Sequence, residues 1–142
     1  MYIYTKGRYA LRVLIDLAEH NNGVYIPMKD VAERQDISLK YLERILPTLT
    51  KSGLIDSLHG KGGGYRLTRE PDQYSVWEVL QITEGDLAPV ACLECNAKPC
   101  YRAAECPTLP MWEQYYLLTK DYFSKITIAD LTNNKTRYNY VI

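Results

Sequence analysis

Four cysteines lie within a 15-residue stretch in the second half of the chain, and the sequence contains no others. They are Cys92, Cys95, Cys100 and Cys106, spaced C-x2-C-x4-C-x5-C. Thiolates bind zinc and iron-sulfur clusters, and in a reducing compartment clustered cysteines favour a metal or redox site over a disulfide framework. The spacing matches neither a zinc ribbon nor the cysteine run of a bacterial ferredoxin. It therefore indicates a metal without identifying which one.

Other interpretations of the cysteines stay open. The segment 92–95 is similar to a redox dithiol, although no βαβ pattern surrounds it. The four thiols could also be unligated, with one or two of them buried. A catalytic Cys-His pair has little support, because both histidines, His20 and His59, are far from the cysteines in sequence.

A glycine-rich segment at residues 60–64 is the second candidate for chemistry. A phosphate-binding loop would need a helix directly after it, with N-terminal amides facing the anion. Here Tyr65, Arg66 and Leu67 continue as a strand, which argues against nucleotide binding. We predict instead a mobile, basic hairpin tip, in which glycine adopts positive φ and lets the backbone approach DNA closely.

Three helices are predicted before this hairpin. Apolar residues at helical spacing indicate helices over 5–20 and 28–34 and a third that begins after Ser38, a good N-cap, and ends at Gly53. On the first helix, Asp16 falls with the basic residues on the predicted polar side. Pro47 removes a backbone hydrogen bond within the third helix, so we expect a kink or a split there. Strands over 54–58 and 65–68 complete the order of a winged helix-turn-helix domain.

The start of the third helix and the wing tip are where such a domain contacts DNA. The residues predicted to bind DNA are Ser38, Leu39, Lys40, Tyr41, Glu43, Arg44, His59, Gly60 and Lys61. The basic side chains predicted around the wing are Lys51, Lys61, Arg66 and Arg69. Charge supports this interface only locally, since residues 1–75 hold 11 basic and 9 acidic side chains and residues 76–142 hold 6 and 8. A three-helix interaction domain with a solvated charged face is the alternative.

The second half combines a short helix, an irregular loop and a long helix. Ser75 and Glu78 form a capping-box pattern before a helix that ends near Gly85. Three prolines and the cysteines make 87–107 irregular, and a long helix follows over about 108–126. Its wide apolar side consists of Met111, Trp112, Tyr115, Tyr116, Leu118, Tyr122 and Phe123. One small domain cannot easily cover so wide a face, so we expect a second subunit to cover part of it.

Size and composition bound the possibilities. The chain has 142 residues and a mass of 16.4 kDa, which excludes a large multidomain enzyme. With 17 basic and 17 acidic side chains it is not a strongly basic chain, so any nucleic-acid partner must meet a local patch. The N-terminus has no signal-peptide pattern and no segment reaches the length of an apolar membrane span, so we expect a cytoplasmic protein without a membrane partner.

Several motifs in this order resemble the IscR, NsrR and CymR type of bacterial regulator, often called the Rrf-two family. They are residues 5–12, 41–43, 45–46, 52–55, 63–67 and 126–131, together with Cys92, Cys100, Cys106 and Trp112. The resemblance covers residues 1 to about 131. It implies a homodimeric winged-helix transcription factor, not an enzyme, with a dimer formed by the long helix. It also implies an iron-sulfur cluster whose presence alters DNA binding.

Compared position by position, the chain matches the family's cluster cysteines at Cys92, Cys100 and Cys106, and Cys95 is an addition. IscR-type members have a His where this chain has Leu109, and NsrR-type relatives can use an acidic residue where it has Arg8. Cys95 is then the only nearby thiol to propose as a fourth ligand. His59 stands where members usually have Arg, which weakens the expected minor-groove contact because His is mostly neutral at pH 7.

The sequence thus predicts a mainly α fold with a small β-hairpin wing and a long C-terminal dimerisation helix. Residues 1–72 would form the DNA-binding winged helix-turn-helix domain, and residues 73–142 the cluster loop and the dimer helix. The predicted function is DNA-binding regulation of transcription that senses iron, redox state or nitric oxide through a cysteine-ligated cluster, a two-iron type being favoured and zinc the alternative metal. Rival predictions are a zinc-stabilised interaction domain, a redox dithiol enzyme, and a cluster-free regulator of the CymR type, which responds to sulfur metabolism.

Overall fold

The structure is a computed structural model that describes residues 2–98 and 100–132. The elements follow in the order α1 (Thr5–Glu19), α2 (Met28–Gln35), α3 (Leu39–Lys51), β1 (Ile55–Leu58), β2 (Gly64–Leu67), α4 (Val76–Glu84), α5 (Leu109–Ser124) and α6 (Ile128–Leu131). Short 3-10 turns lie at Pro71–Gln73 and Ala91–Leu93. The predicted mainly helical fold with one hairpin is confirmed. The tyrosine-rich tail, 133–142, lies outside the described residues.

The main core lies between α1, α2, α3 and the wing. Its fully buried side chains come from apolar positions repeated at helical spacing, which is why these segments fold as helices. They include Ala10, Val13, Leu14, Val31, Leu42, Leu49, Leu54, Tyr74, Val79 and Ile128. The last three lie beyond residue 72, so one continuous core joins the first 72 residues to α4 and α6.

A tight turn joins α2 to α3. Asp36 adopts a left-handed conformation, with φ 53° and ψ 50°, and the N–H of Ile37 donates to the carbonyl of Ala32 at 3.0 Å. Ser38 then caps α3, its Oγ accepting from the N–H of Tyr41 at 3.2 Å. The predicted cap is confirmed, and three residues suffice to redirect the chain from α2 into α3.

Pro47 does not split α3, which runs without interruption from Leu39 to Lys51. Of the two predicted outcomes, a kink or a split, the split is therefore wrong, and the kink stays a prediction. Pro47 cannot donate to the carbonyl of Glu43, but both residues are exposed, so water can satisfy that carbonyl.

The wing is an antiparallel hairpin with one added bridge. Ile55 pairs with Leu67 and Leu58 with Gly64, and Tyr65 exchanges two backbone hydrogen bonds with Ile26, both 2.8 Å long. Gly64 has φ +152°, and a Cβ there would overlap the backbone of Ile26. Gly64 therefore lets β2 lie close to the backbone of Ile26 in the same chain.

The second half packs on the first through α4. This helix lies against both α1 and α5. A smaller apolar cluster forms there from Val76, Trp77, Leu80 and Leu87, with Ile3, Tyr116 and Phe123 partly buried against it. Among the described helices, none combines the length and apolar composition needed to cross a bilayer.

Candidate DNA interface and cysteine loop

A buried carboxylate fixes the helix pair that presents α3. Asp16 is fully buried; its Oδ1 accepts from Nη2 of Arg34 at 2.7 Å and its Oδ2 from Nε2 of Gln35 at 2.9 Å. Both partners lie at the end of α2, and Arg12 also donates to the side chain and carbonyl of Gln35. The hydrogen bond to Asp16 raises the pKa of Arg34. The prediction that Asp16 faces solvent is wrong, because Arg34 compensates its burial.

The N-terminal half of α3 presents a polar face. Leu39, Lys40, Glu43 and Arg44 are exposed, while Leu42, Ile45 and Leu46 of the same turns are buried. Because the buried face is fixed in the core, the orientation of the exposed face is fixed too. These four predicted DNA contacts therefore share one accessible surface.

Two predicted contacts on α3 have internal roles as well. The Oγ of Ser38 caps the helix, although the residue is exposed. Tyr41 is half-buried, and its ring meets Tyr9 of α1 edge-to-face with centroids 5.3 Å apart. Tyr41 thus links α3 to α1, and its contact with DNA stays a prediction.

The wing tip is exposed at His59, Gly60 and Lys61. Its turn is closed by the N–H of Gly63, which donates to the carbonyl of Gly60 at 3.0 Å. Gly60 has φ +90° and Gly62 φ +76°, conformations that side chains with a Cβ rarely adopt. The tip therefore carries one charged residue, Lys61, on a glycine-dependent turn.

Two arginines predicted to make the wing basic are held by acidic residues. Arg69 pairs with Glu78 of α4 at 2.6 Å, and this hydrogen bond raises the pKa of Arg69. Arg66 stacks 4.3 Å above the ring of Tyr25 and lies 3.6 Å from Asp56, which also accepts from the Tyr25 hydroxyl. The basic surface of the wing is consequently smaller than its sequence suggests. Glu78 is also the acidic residue of the predicted capping box. Its carboxylate binds Arg69, while its N–H donates to Oγ of Ser75 at 3.1 Å, so Ser75 caps α4.

The cysteine loop is attached to the body at its start. Leu87 is buried in the smaller apolar cluster. Asp86 accepts hydrogen bonds from the N–H of Ala88 at 2.9 Å and from the N–H of Cys95 at 2.6 Å. Burial, with the nearby charges of Asp86 and Cys95, raises the pKa of Tyr116 on α5. The Asp86 carboxylate thus ties the backbone at Cys95 back to the start of the loop.

All four cysteines are free thiols; three are exposed and Cys106 is half-buried. A hydrogen bond with Thr108 and the backbone amides that begin α5 lower the pKa of Cys106. The residue types fit a thiolate-bound metal or cluster. Within residues 2–98 and 100–132, however, no three metal-binding side chains lie together. To hold a cluster, the loop would have to draw its cysteines closer.

The apolar side of α5 divides into two faces. Trp112, Tyr116 and Phe123 are half-buried. Tyr116 and Phe123 pack against the smaller apolar cluster, Tyr116 on Trp77 with ring centroids 5.9 Å apart. The other face exposes Met111, Tyr115, Leu118 and Tyr122 by 54%, 47%, 60% and 62%. The exposed stripe is therefore narrower than the predicted one.

Comparison with known proteins assigns the chain to a family. Residues 3–134 match the model of the Rrf2 family, described as an iron-dependent transcriptional regulator. The chain belongs to the Rrf2 family. IscR of Erwinia tasmaniensis, an HTH-type transcriptional regulator, is 35% identical over 95% of this chain and 81% of its own. IscR of Pectobacterium atrosepticum is 33% identical over 98% and 84%.

Solved structures of Rrf2 regulators have the same fold. CymR, the global cysteine regulator of B. subtilis, matches with a TM-score of 0.74 and 31% identity over 92% of this chain and 95% of that one. IscR of T. potens matches with a TM-score of 0.74 and 29% identity over 100% and 93%. The predicted family and winged-helix fold are confirmed. The protein is a DNA-binding transcriptional regulator of the Rrf2 family and not an enzyme.

Sequence reasoning missed two residues that organise these surfaces. Asp16 lies between Val13 and Leu17, within the apolar stripe of α1, and that position was the available signal for burial. Asp86 directly follows the helix-ending Gly85, but nothing local indicated that its partner would be Cys95, nine residues later.

Proposed function

We propose that this Rrf2 regulator binds a pseudo-palindromic DNA site in the cytoplasm as a homodimer. Residues 1–72 would make the DNA contacts, and residues 73–142 would supply the cluster loop and the dimer helix. The observation that carries the DNA proposal is the exposed face of α3, held by a short turn and by the buried Asp16 network. A helix in this position of a helix-turn-helix reads base edges with its first turns.

The side chains on this face have different roles in the proposal. Glu43 can accept a hydrogen bond from a cytosine amino group but repels phosphate, so it would act on sequence preference. Lys40, Arg44 and the wing residue Lys61 form no ion pair among the described residues, which leaves their charges available to phosphates. His59 and Gly60 would position the tip against the minor groove.

Salt-dependent binding separates these roles. Glu43→Ala should relax discrimination at one or two base positions, with little loss of affinity for random DNA. Lys40→Ala or Lys61→Ala should weaken binding to every sequence and reduce the salt slope by about one. Lys98→Ala removes the same charge from the cysteine loop and serves as the control. If both lysine variants keep the wild-type salt slope, these side chains do not contact DNA.

The dimer proposal rests on the exposed stripe of α5. Met111, Tyr115, Leu118 and Tyr122 recur at helical spacing, and Ile3 extends the same apolar surface. A stripe of this kind on a monomer is typical of an interface, and a two-fold dimer would present two α3 helices to successive major grooves.

Two neighbouring leucines provide a matched test of the dimer. Leu117 and Leu118 are both 60% exposed, but only Leu118 lies on the stripe. Leu118→Glu should give monomers with much weaker operator binding, whereas Leu117→Glu should stay dimeric. Sedimentation that finds both variants dimeric would exclude this face as the interface.

We further propose that Cys92, Cys100 and Cys106 hold an iron-sulfur cluster, a two-iron type being favoured, with Cys95 as candidate fourth ligand. The family description as iron-dependent and the lowered pKa of Cys106, caused by its hydrogen bond with Thr108, support this proposal. A bound cluster would supply iron chemistry that responds to iron availability, redox state or nitric oxide. The loop would then favour one placement of the two α3 helices over another.

Cysteine variants test the cluster separately from the fold. No cysteine belongs to either described apolar cluster, so Cys100→Ser and Cys106→Ser should lose visible absorption and keep wild-type far-UV circular dichroism. Cys95→Ser identifies the fourth ligand, because a normal spectrum would exclude this thiol. If the Cys100 variant unfolds, the metal is structural, as in a zinc site.

A cluster-free regulator is the second candidate, favoured by two observations. The described cysteines are not gathered into a ligand set, and CymR, a cysteine regulator, has the same fold. Iron and sulfide analysis of anaerobically purified protein decides between the two. Stoichiometric iron and sulfide support the sensor, zinc alone supports a structural site, and metal-free protein that binds its operator supports the CymR-type function.

A further inference from the structure

The hydroxyl of Tyr74 joins the residue before β1 to the residues after β2, at the base of the wing. Tyr74 is the largest fully buried side chain in the described structure. Its hydroxyl donates to the carbonyl of Leu54 at 2.7 Å, directly before β1. It accepts from the N–H of Thr68 at 3.0 Å and from that of Arg69 at 3.1 Å, directly after β2. The hairpin is thus closed at one end by its glycine turn and at the other by this oxygen together with the Thr68 hydroxyl, which donates to the carbonyl of Gly53 at 2.7 Å.

The backbone around Tyr74 pairs with the segment that follows α5. The carbonyl of Tyr74 accepts from the N–H of Ile128 at 3.0 Å, and the N–H of Val76 donates to the carbonyl of Ile126 at 2.9 Å. Ser75 and Thr127 form the antiparallel bridge between these two bonds. The position of residues 126–128, where α5 ends and α6 begins, therefore fixes the backbone of Tyr74.

We propose that Tyr74 is a positioning residue that couples the end of helix α5 to the DNA-facing wing. This inference rests on the proposed function, in which α5 forms the dimer and the wing contacts DNA. The ring is fully buried in a close-packed core, so we expect a displacement of residues 126–128 to move the hydroxyl and with it the base of both strands. A rearrangement of α5 then reaches the wing directly, in addition to any path through α3.

If Tyr74 only filled space in the core, phenylalanine would be expected at this position. Phenylalanine would fill the same volume without burying a hydroxyl, which is costly unless it is hydrogen-bonded. Here the hydroxyl satisfies one carbonyl and two amides at the open end of a two-stranded hairpin. A two-stranded hairpin alone is only marginally stable, so its geometry depends on such attachments.

Hydrogen exchange in the DNA-free protein tests the wing attachment. In Tyr74→Phe, exchange at the amides of Thr68 and Arg69 should accelerate about tenfold more than any acceleration at the core amide of Leu14, whose exchange rate follows global stability. Tyr9→Phe is the control. It removes the hydroxyl of a half-buried tyrosine, for which no hydrogen bond is found in the described structure, and it should leave the exchange rates of all three amides unchanged. Unchanged Thr68 and Arg69, or an equal acceleration of Leu14, would overturn the proposal.

A second pair of variants tests the coupling itself. Ile128→Pro removes the N–H that bonds to Tyr74, at the first position of α6, where proline is tolerated. The preceding Thr127 has φ −104° and ψ 165°, an extended conformation that a following proline permits. Ile128→Ala loses similar packing but keeps the N–H. Faster exchange at Thr68 and Arg69 in the proline variant than in the alanine variant is expected, and equal rates would refute the coupling.

Measurements of DNA binding then test this inference separately from the proposed function on which it rests. Tyr74→Phe should weaken operator binding by about three- to tenfold if Lys61→Ala also weakens it. If Lys61→Ala has no effect, the wing does not contact DNA and that part of the proposed function fails. The exchange measurements still decide the role of Tyr74 in that case, since they need no DNA.

Discussion

Replacing Asp16 by alanine should destabilise the DNA-binding half more than any surface substitution. The Asp16 side chain is 1% exposed and makes a two-point contact with Arg34, with Nη2–Oδ1 at 2.7 Å and Nε–Oδ2 at 3.1 Å. Gln35 adds a third hydrogen bond at 2.9 Å. Alanine leaves both α2 partners without their acceptor.

The expected loss of stability follows from how deeply each of the two paired side chains is buried. Breaking a fully buried ion pair costs about 3–5 kcal/mol, because the remaining charge stays buried and unpaired. The Arg34 side chain is 34% exposed and can turn partly into water, which places the loss near the lower end, at about 3 kcal/mol. For a domain of this size that corresponds to a fall in Tm of roughly 10 °C.

Thermal unfolding followed by circular dichroism measures this effect, with Glu33→Ala as the control. Glu33 is an exposed acid on the same helix, α2, and its removal should change stability by less than about 0.5 kcal/mol. Asp16→Asn keeps one acceptor oxygen and should fall between the two. A melting temperature for Asp16→Ala within about 2 °C of wild type would show that the carboxylate does not hold α2.

Two further predictions concern the wing and the cysteine loop. Gly64→Ala should destabilise the protein by about 3 kcal/mol and weaken DNA binding, because the new Cβ would overlap the backbone of Ile26 and the residue has a positive φ. The control is Gly62→Ala, where φ is also positive but the Cβ would point into open space, and it should destabilise the protein by only about 1 kcal/mol. Thr108→Ala should raise the pKa of Cys106, since the hydrogen bond with Thr108 lowers it. With the other cysteines replaced by serine, the thiolate fraction near neutral pH then falls and the alkylation rate profile moves to higher pH. An unmoved profile would exclude Thr108 as the cause.

The sequence predicted the elements whose signal is local. The apolar spacing of α1 and α3, the Ser38 cap and the glycine turn of the wing each depend on residues within a few positions of one another. Those predictions are confirmed, and so is the order of three helices followed by a hairpin.

Pairings between distant residues could not be predicted in this way. Arg69 was expected on a basic wing surface, but Glu78 lies close enough after folding to bind it. Asp16 was expected in solvent, but its partner Arg34 lies 18 positions away. A single sequence contains the charges and not their distances, so the extent of the basic surface is a property of the tertiary structure.

The placement of the cysteines limits how their chemistry can affect DNA binding. None of them is fully buried, so oxidation or metal loss leaves the two cores intact. The loop is attached to the body at its start through Leu87, which is buried against α4, and through Asp86, which binds the N–H of Cys95. At its end, Cys106 is attached to the start of α5 by its hydrogen bond with Thr108. Any signal from the thiols must therefore pass through α4 or α5 to reach the α3 face. Asp86→Ala, which releases the backbone at Cys95, should weaken the effect of a bound cofactor on operator affinity, and an unchanged response would locate the path through Cys106 and α5.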